Sequence, residues 1–224
     1  MIIAGHTLTY YYQGLIVPLS ILIPITVAAI YYKYLCRAVH ILLLYLLASG
    51  IINLTAIIQS STNNHPLLHL YTIVEFVLLM IYFRRIDKGT SLQRLSNMLL
   101  VFFPLLCIIN VLFFQSQYSF NTYVRPIEAL IFIVYSLRFF IISANIENEE
   151  SWSSGSLNWI NSGLLLYFSS SLFLFIFSNT ISIRLSHDVK MVIWNIHDSF
   201  VLILYLLMAY GFSKCKPSQK TSIS

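Results

Sequence analysis

Three carboxylates and one guanidinium stand inside stretches otherwise built of leucine, isoleucine, valine and phenylalanine: Glu75, Glu128, Asp198 and Arg125. Their neighbours recur at helical spacing. Tyr71 and Glu75 are four apart, as are Trp194 and Asp198; Arg125 and Glu128 are three apart, as are Asn195 and Asp198. Residues so spaced share one side of a helix, so each pair faces a common direction. Pro126 complicates the second pair, because it biases Arg125 away from helical geometry and suits the first helical position, which would leave Arg125 at the helix mouth. Ionisable groups in an apolar setting are costly unless they face a polar interior, and they mark ligand sites, proton relays or acid–base centres. With three acids and one permanent cation, Arg125 is expected to pair with Glu128 or Glu75. At least one remaining acid should then be neutral, or matched by His197, a bound cation or water.

His197 beside Asp198 suggests a relay, but adjacent residues point about 100° apart on a helix, which argues against a direct dyad. A hydrogen-bonded core histidine is the competing reading. His65 and His69 have the i,i+4 spacing of a two-histidine metal site, without a third ligand at fixed spacing. No metal or other cofactor is therefore assigned. Asn53, Asn110 and the run Ser169–Ser171 suit interhelical hydrogen bonding, with Asn53 also placed near the polar end of its span. Sequences such as GxSxG, HExxH and a glycine-rich phosphate loop are absent.

The elements that must hold these groups are membrane spans. Of 224 residues, 58% are hydrophobic and 9% charged, and mean hydropathy is +0.79. Soluble domains carry roughly a quarter charged residues, so the composition belongs to the membrane class. Covering the hydrocarbon core takes about 20 helical residues. Seven segments qualify: 14–32, 39–60, 66–84, 95–114, 122–143, 160–179 and 189–212. The expected fold is all-α, one domain over 1–224, a bundle of seven transmembrane helices. The start of the chain lacks the pattern of a removable signal peptide, so the first span is expected to stay. Pro18, Pro24 and Pro104 are expected kinks. Tyr10, Tyr11, Tyr12 and Trp159 read as interfacial belts, and the acidic run 145–152 as a solvated connection. Cys36, Cys107 and Cys215 form no CxxC pair, and no disulfide framework is expected.

Lys and Arg near the span ends set orientation. Lys33, Arg37, Arg84, Arg85, Lys88, Arg94, Arg138, Lys214, Lys216 and Lys220 fall on one side, whereas Arg184 and Lys190 fall on the other. The N-terminus is expected outside and the C-terminus inside, in a multi-pass inner (plasma) membrane protein. The net charge of +5 largely reflects this asymmetry and carries no indication of nucleic acid. At about 1.5 Å per residue, Glu75 lies roughly 14 Å below the outer boundary. Glu128, Asn195, His197 and Asp198 fall in the same outer half, and the inner halves bear no charge until the cytoplasmic boundary.

The segments NNHPLLHLYTIVEF (63–76), FNTYVRPIEALIFIVYSLRFF (120–140), NWINSGLLLYFSSSLFLFIFSN (158–179) and VIWNIHDSF (192–200) resemble those of a bacterial family of short seven-span integral membrane proteins with no assigned activity. The resemblance implies that Tyr71 with Glu75, Arg125 with Glu128, and Trp194 to His197 belong together. The expected function is a receptor or sensor-like protein in the lipid bilayer. Its small-molecule ligand would enter a blind cavity among spans two, three, five, six and seven. Glu75, Glu128 and Arg125 would contact the ligand, with Tyr71 and Asn53 beside them and Asn195, His197 and Asp198 on the facing wall. Output would pass to a partner such as a sensor histidine kinase or another membrane protein. The alternatives are an intramembrane lipid-modifying enzyme using carboxylate or histidine chemistry, and a transporter.

Overall fold

The computed structural model describes residues 11–58, 63–89, 92–145 and 152–215. Helix makes up 88% of the structure, and no strand occurs among the described residues. Seven helices are long and apolar enough to cross a membrane: α1 Tyr12–Ile30, α2 Arg37–Ile58, α3 His65–Ile86, α4 Leu92–Phe114, α5 Val124–Ala144, α6 Ser156–Arg184 and α7 His187–Ser213. The chain is an all-α, multi-pass membrane protein. Short connections make successive helices antiparallel. The starts of α1, α3, α5 and α7 therefore share one end of the bundle, the N-terminal face, and their ends share the C-terminal face. The last residues of the expected second span (59–60), Tyr10, residues 146–151 of the acidic run, Lys216 and Lys220 lie outside the described residues.

Local sequence explains the irregularities. Proline lacks the N–H that would bond four residues back. α1 opens with a π-helical turn at Tyr12–Ile16, just before Pro18, and its α-helical run breaks at Ile21 between Pro18 and Pro24. α4 absorbs Pro104 without a break and ends in a second π-helical turn, Asn110–Phe114. Gly89 follows α3 with φ of +85°, a conformation that side chains with a Cβ rarely adopt, and its N–H donates to Gln93 Oε1 at 3.0 Å. α6 and α7 run further than hydropathy alone suggests, 29 and 27 residues. Helical hydrogen bonding continues past the apolar window because polar side chains such as Ser156 and Asn179 are tolerated where the helix ends meet loops.

α3 and α6 carry the largest buried shares. α7 lies between α6 and α1, α4 packs on the outer side of α3, and α1 touches α2 only lightly. α7 approaches α6 closely at Gly211, where a Cβ would meet Ile160 Cγ1 at 2.6 Å and the Ser156 carbonyl at 2.9 Å. Small residues at such crossings let backbones approach. Toward the C-terminal face the interior is solid. Phe76 stacks on Phe103 with centroids 3.8 Å apart, Phe132 packs on Phe168 at 5.0 Å, and Leu79, Met80, Leu164, Met208 and Phe212 are fully buried around them. That half also holds isolated neutral polar pairs, Asn161 Nδ2 donating to Tyr82 Oη at 2.9 Å and Ser96 hydrogen-bonded to Tyr135 at 2.9 Å.

Candidate functional site

Glu75 lies one helical turn beyond Tyr71 on α3, and Glu128 one turn into α5. Both carboxylates are wholly buried, with 0% exposure, and both meet the same nitrogen, Nη1 of Arg125. The contact to Glu128 Oε2 is 2.9 Å; the second ion pair is to Glu75 Oε2. α5 begins at Val124, so Arg125 and Pro126 occupy its first turn, where a missing N–H costs nothing. The i,i+3 geometry therefore survives the proline, and Arg125 pairs with both acids where either one was expected. Its Nη2 donates to Tyr167 Oη of α6 at 3.2 Å. The guanidinium carbon also lies 4.7 Å from the centre of the Phe175 ring and 5.3 Å from that of Tyr71.

The two acids are not equivalent. Glu75 Oε1 accepts from the Tyr45 hydroxyl at 3.0 Å and from the Tyr71 hydroxyl at 3.2 Å, and Ser49 of α2 hydrogen-bonds Tyr71 at 3.1 Å. Glu128 has Arg125 on one oxygen, while its buried Oε1 has no hydrogen-bond partner among the described residues. Removing two acids and a cation from water is unfavourable unless the lone pairs and protons find partners. Tyr45, Tyr71 and Tyr167 supply those partners from three different helices.

Above this cluster, toward the N-terminal face, opens a cavity of about 370 Å³. Arg125, 11% exposed, forms part of its floor. Asn53, Tyr71, Arg125, His197 and Asp198 all line it, so five of the residues singled out by sequence share one space. Glu75 and Glu128 do not line it. They sit behind the arginine and hold the guanidinium that does reach the cavity, whereas the sequence reading set them against a ligand. Asn195 is also displaced from the expected facing wall. Its Oδ1 accepts from Gln13 Nε2 of α1 at 2.9 Å, which ties α7 to α1. α1 in turn contributes Gln13, Val17 and Pro18 to the lining, and Phe120 and Asn121 come from the α4–α5 connection. Neither was expected to form the wall.

The remaining residues resolve individually. His197 Nδ1 is 3.0 Å from Ser171 Oγ of α6, an interhelical hydrogen bond of the kind expected for a core histidine. Its neighbour Asp198 is half-buried, lines the cavity and takes part in no hydrogen bond or ion pair among the described residues. Asn53 lies against the Tyr205 hydroxyl of α7. Asn110 donates to Gln115 Oε1 at 3.2 Å, and Gln115 fixes the loop by donating to Phe120 O and Thr122 Oγ1. Ser169 is exposed, and Ser170 bonds back to its own helix at Tyr167 O, so of that run Ser171 joins helices. His69 Nε2 lies 3.1 Å from Ser119 O and His65 contacts Asn63. No group of three or more His, Cys, Asp or Glu side chains placed to hold a metal occurs among the described residues.

Sequence reasoning missed Tyr45, Tyr167 and Tyr205, whose hydroxyls complete the polar floor. A tyrosine within an apolar span resembles a belt or core residue. The signals available were the i,i+4 spacing of Tyr45 and Ser49 and the position of Tyr167 one turn before Ser171. Comparison of the chain with protein-family models, with curated proteins and with solved structures finds no match.

Proposed function

We propose that this protein is a receptor or sensor-like subunit of the inner (plasma) membrane. A small ligand enters the cavity from the N-terminal face, which is the outer one. The orientation is supported by eight described Lys and Arg near the C-terminal face, Lys33, Arg37, Arg84, Arg85, Lys88, Arg94, Arg138 and Lys214, against Arg184 and Lys190 at the other. The observation that carries the ligand reading is the cavity of about 370 Å³, which ends on a partly exposed arginine held by two wholly buried acids. Its volume lies within the range of small-molecule sites, and its lining mixes aromatic walls with polar groups that include Asn53, Asn121, Arg125, His197 and Asp198. Below the arginine the described buried residues are mainly aromatic and aliphatic, which favours a receptor over a transporter. The connections between helices are too short to hold an output domain. A partner in the membrane, such as a sensor histidine kinase, would therefore receive the signal. The likeness of the quoted segments to a family of short seven-span bacterial proteins agrees with this setting and adds no activity.

Site-directed labelling tests the reading. In a background with Cys36, Cys107 and Cys215 changed to serine, Asn53→Cys should react with a membrane-impermeant maleimide in intact cells. Ser136→Cys, wholly buried on α5, should not. Labelling of Asn53→Cys from both faces would replace the receptor with a transporter. A failure to label it from either face would remove the open cavity.

A further inference from the structure

The cavity has a composition that selects for charge. Its floor and the layer behind it hold Glu75 and Glu128 against a single Arg125, and Arg125 spends one nitrogen on both acids and another on Tyr167. Asp198, half-buried, also lines the cavity and is matched by no cation or donor among the described residues. The formal charges of these four groups are three negative and one positive. His197, also in that lining, is engaged with Ser171. The site therefore carries an excess of acid with one carboxylate free.

The aromatic residues fall beside that carboxylate. Trp194 precedes Asp198 by one turn of α7, stacks on Phe120 with centroids 5.7 Å apart, and lines the same cavity, as does Tyr205. Aromatic faces attract cations through their quadrupole, more strongly when water is excluded. Phe175 and Tyr71 are already occupied by the arginine; among the described residues no Lys or Arg lies over Trp194 or Tyr205. A free carboxylate one turn from an indole, in a cavity whose lining is mainly apolar, matches a protonated amine on an apolar body.

We propose that the ligand of this cavity is an organic cation of that class. Its ammonium is set against Asp198, and its body against Trp194, Phe120 and Tyr205. The inference rests on the ligand-cavity reading and names the ligand's chemistry. An ammonium of this kind has two sources, a free small amine or the headgroup of an aminophospholipid.

The test uses the full-length protein purified in detergent, with binding followed by tryptophan fluorescence. Phenethylamine is titrated in parallel with 2-phenylethanol and 3-phenylpropionate, which keep the ring and remove or reverse the charge. Short-chain phosphatidylethanolamine is titrated against short-chain phosphatidylglycerol. Phenethylamine should bind and the other two ring compounds should not. Asp198→Asn should weaken the amine about 30-fold or more, the loss expected when one partner of a desolvated charge pair is neutralised. Binding of phosphatidylethanolamine in place of phenethylamine, with the same Asp198→Asn loss, would support the cation and assign it to a lipid headgroup. Equal binding of 2-phenylethanol or 3-phenylpropionate, an unchanged affinity in Asp198→Asn, or no binding of either amine would overturn the inference. The labelling of Asn53→Cys does not depend on ligand charge, so the cavity reading stands or falls separately. Should Asp198→Asn fold poorly, Trp194→Leu supplies the second variant, and an undiminished amine affinity there would also count against the proposal.

Discussion

Replacing Arg125 with methionine keeps most of the side-chain volume and deletes the cation, leaving Glu75 and Glu128 wholly buried and facing each other without a counter-charge. Breaking a buried ion pair by removing one partner costs about 3–5 kcal/mol, because the other charge remains in a poorly solvating interior. Arg125→Met is therefore expected to destabilise the protein by about 3–5 kcal/mol. Glu128→Gln should be mild, about 1 kcal/mol or less, since among the described residues Glu128 has one charged contact and an oxygen already without a partner, while Glu75 keeps Arg125, Tyr45 and Tyr71. Combining Arg125→Met with Glu75→Gln and Glu128→Gln should recover at least about half of the loss, because the neutral side chains no longer need a counter-charge. The assay is equilibrium unfolding in mixed micelles titrated with a denaturing detergent and read by intrinsic tryptophan fluorescence. An Arg125→Met protein within about 1 kcal/mol of wild type would refute the reasoning, since the cation would then contribute no more than a surface pair. So would Glu128→Gln costing as much as Arg125→Met.

Gly211→Ala should cost about 1–3 kcal/mol, because the new methyl would meet Ile160 and the Ser156 carbonyl below 3.0 Å, whereas Gly14→Ala, with open space around its Cβ position, should leave stability unchanged in the same unfolding assay. Tyr82→Phe should cost about 1 kcal/mol by removing the acceptor for Asn161 in the packed half of the bundle, without altering labelling of Asn53→Cys.

Different parts of the molecule were legible to different degrees. The seven helices were readable because apolar length is a property of each segment alone, and the bilayer thickness that sets it is external to the chain. Helix ends were less readable. α6 continues to Arg184 where hydropathy stops at 179, since backbone hydrogen bonding does not end where side chains become polar. The Arg125–Glu128 pairing was readable from spacing within one helix, and so was the shared direction of Tyr71 and Glu75. The layering of the site was not. Helical phase places Glu75 on the same side as Tyr71, yet whether a carboxylate on that side meets open space or another helix depends on how α3, α5 and α6 approach one another.

The residues of this chain, taken in order, determined that it would be a bundle of membrane-spanning helices whose carboxylates Glu75, Glu128 and Asp198 lie toward one end and most of whose Lys and Arg lie at the other. Composition and period are local quantities and need no neighbours. Tertiary packing decided which of those groups share a cavity. It sealed Glu75 and Glu128 behind Arg125, turned Asn195 toward Gln13 of α1, and left Asp198 lining the cavity without a partner among the described residues. A side chain's access to ligand is set by atoms from other helices, and no spacing along one helix encodes where those atoms will lie.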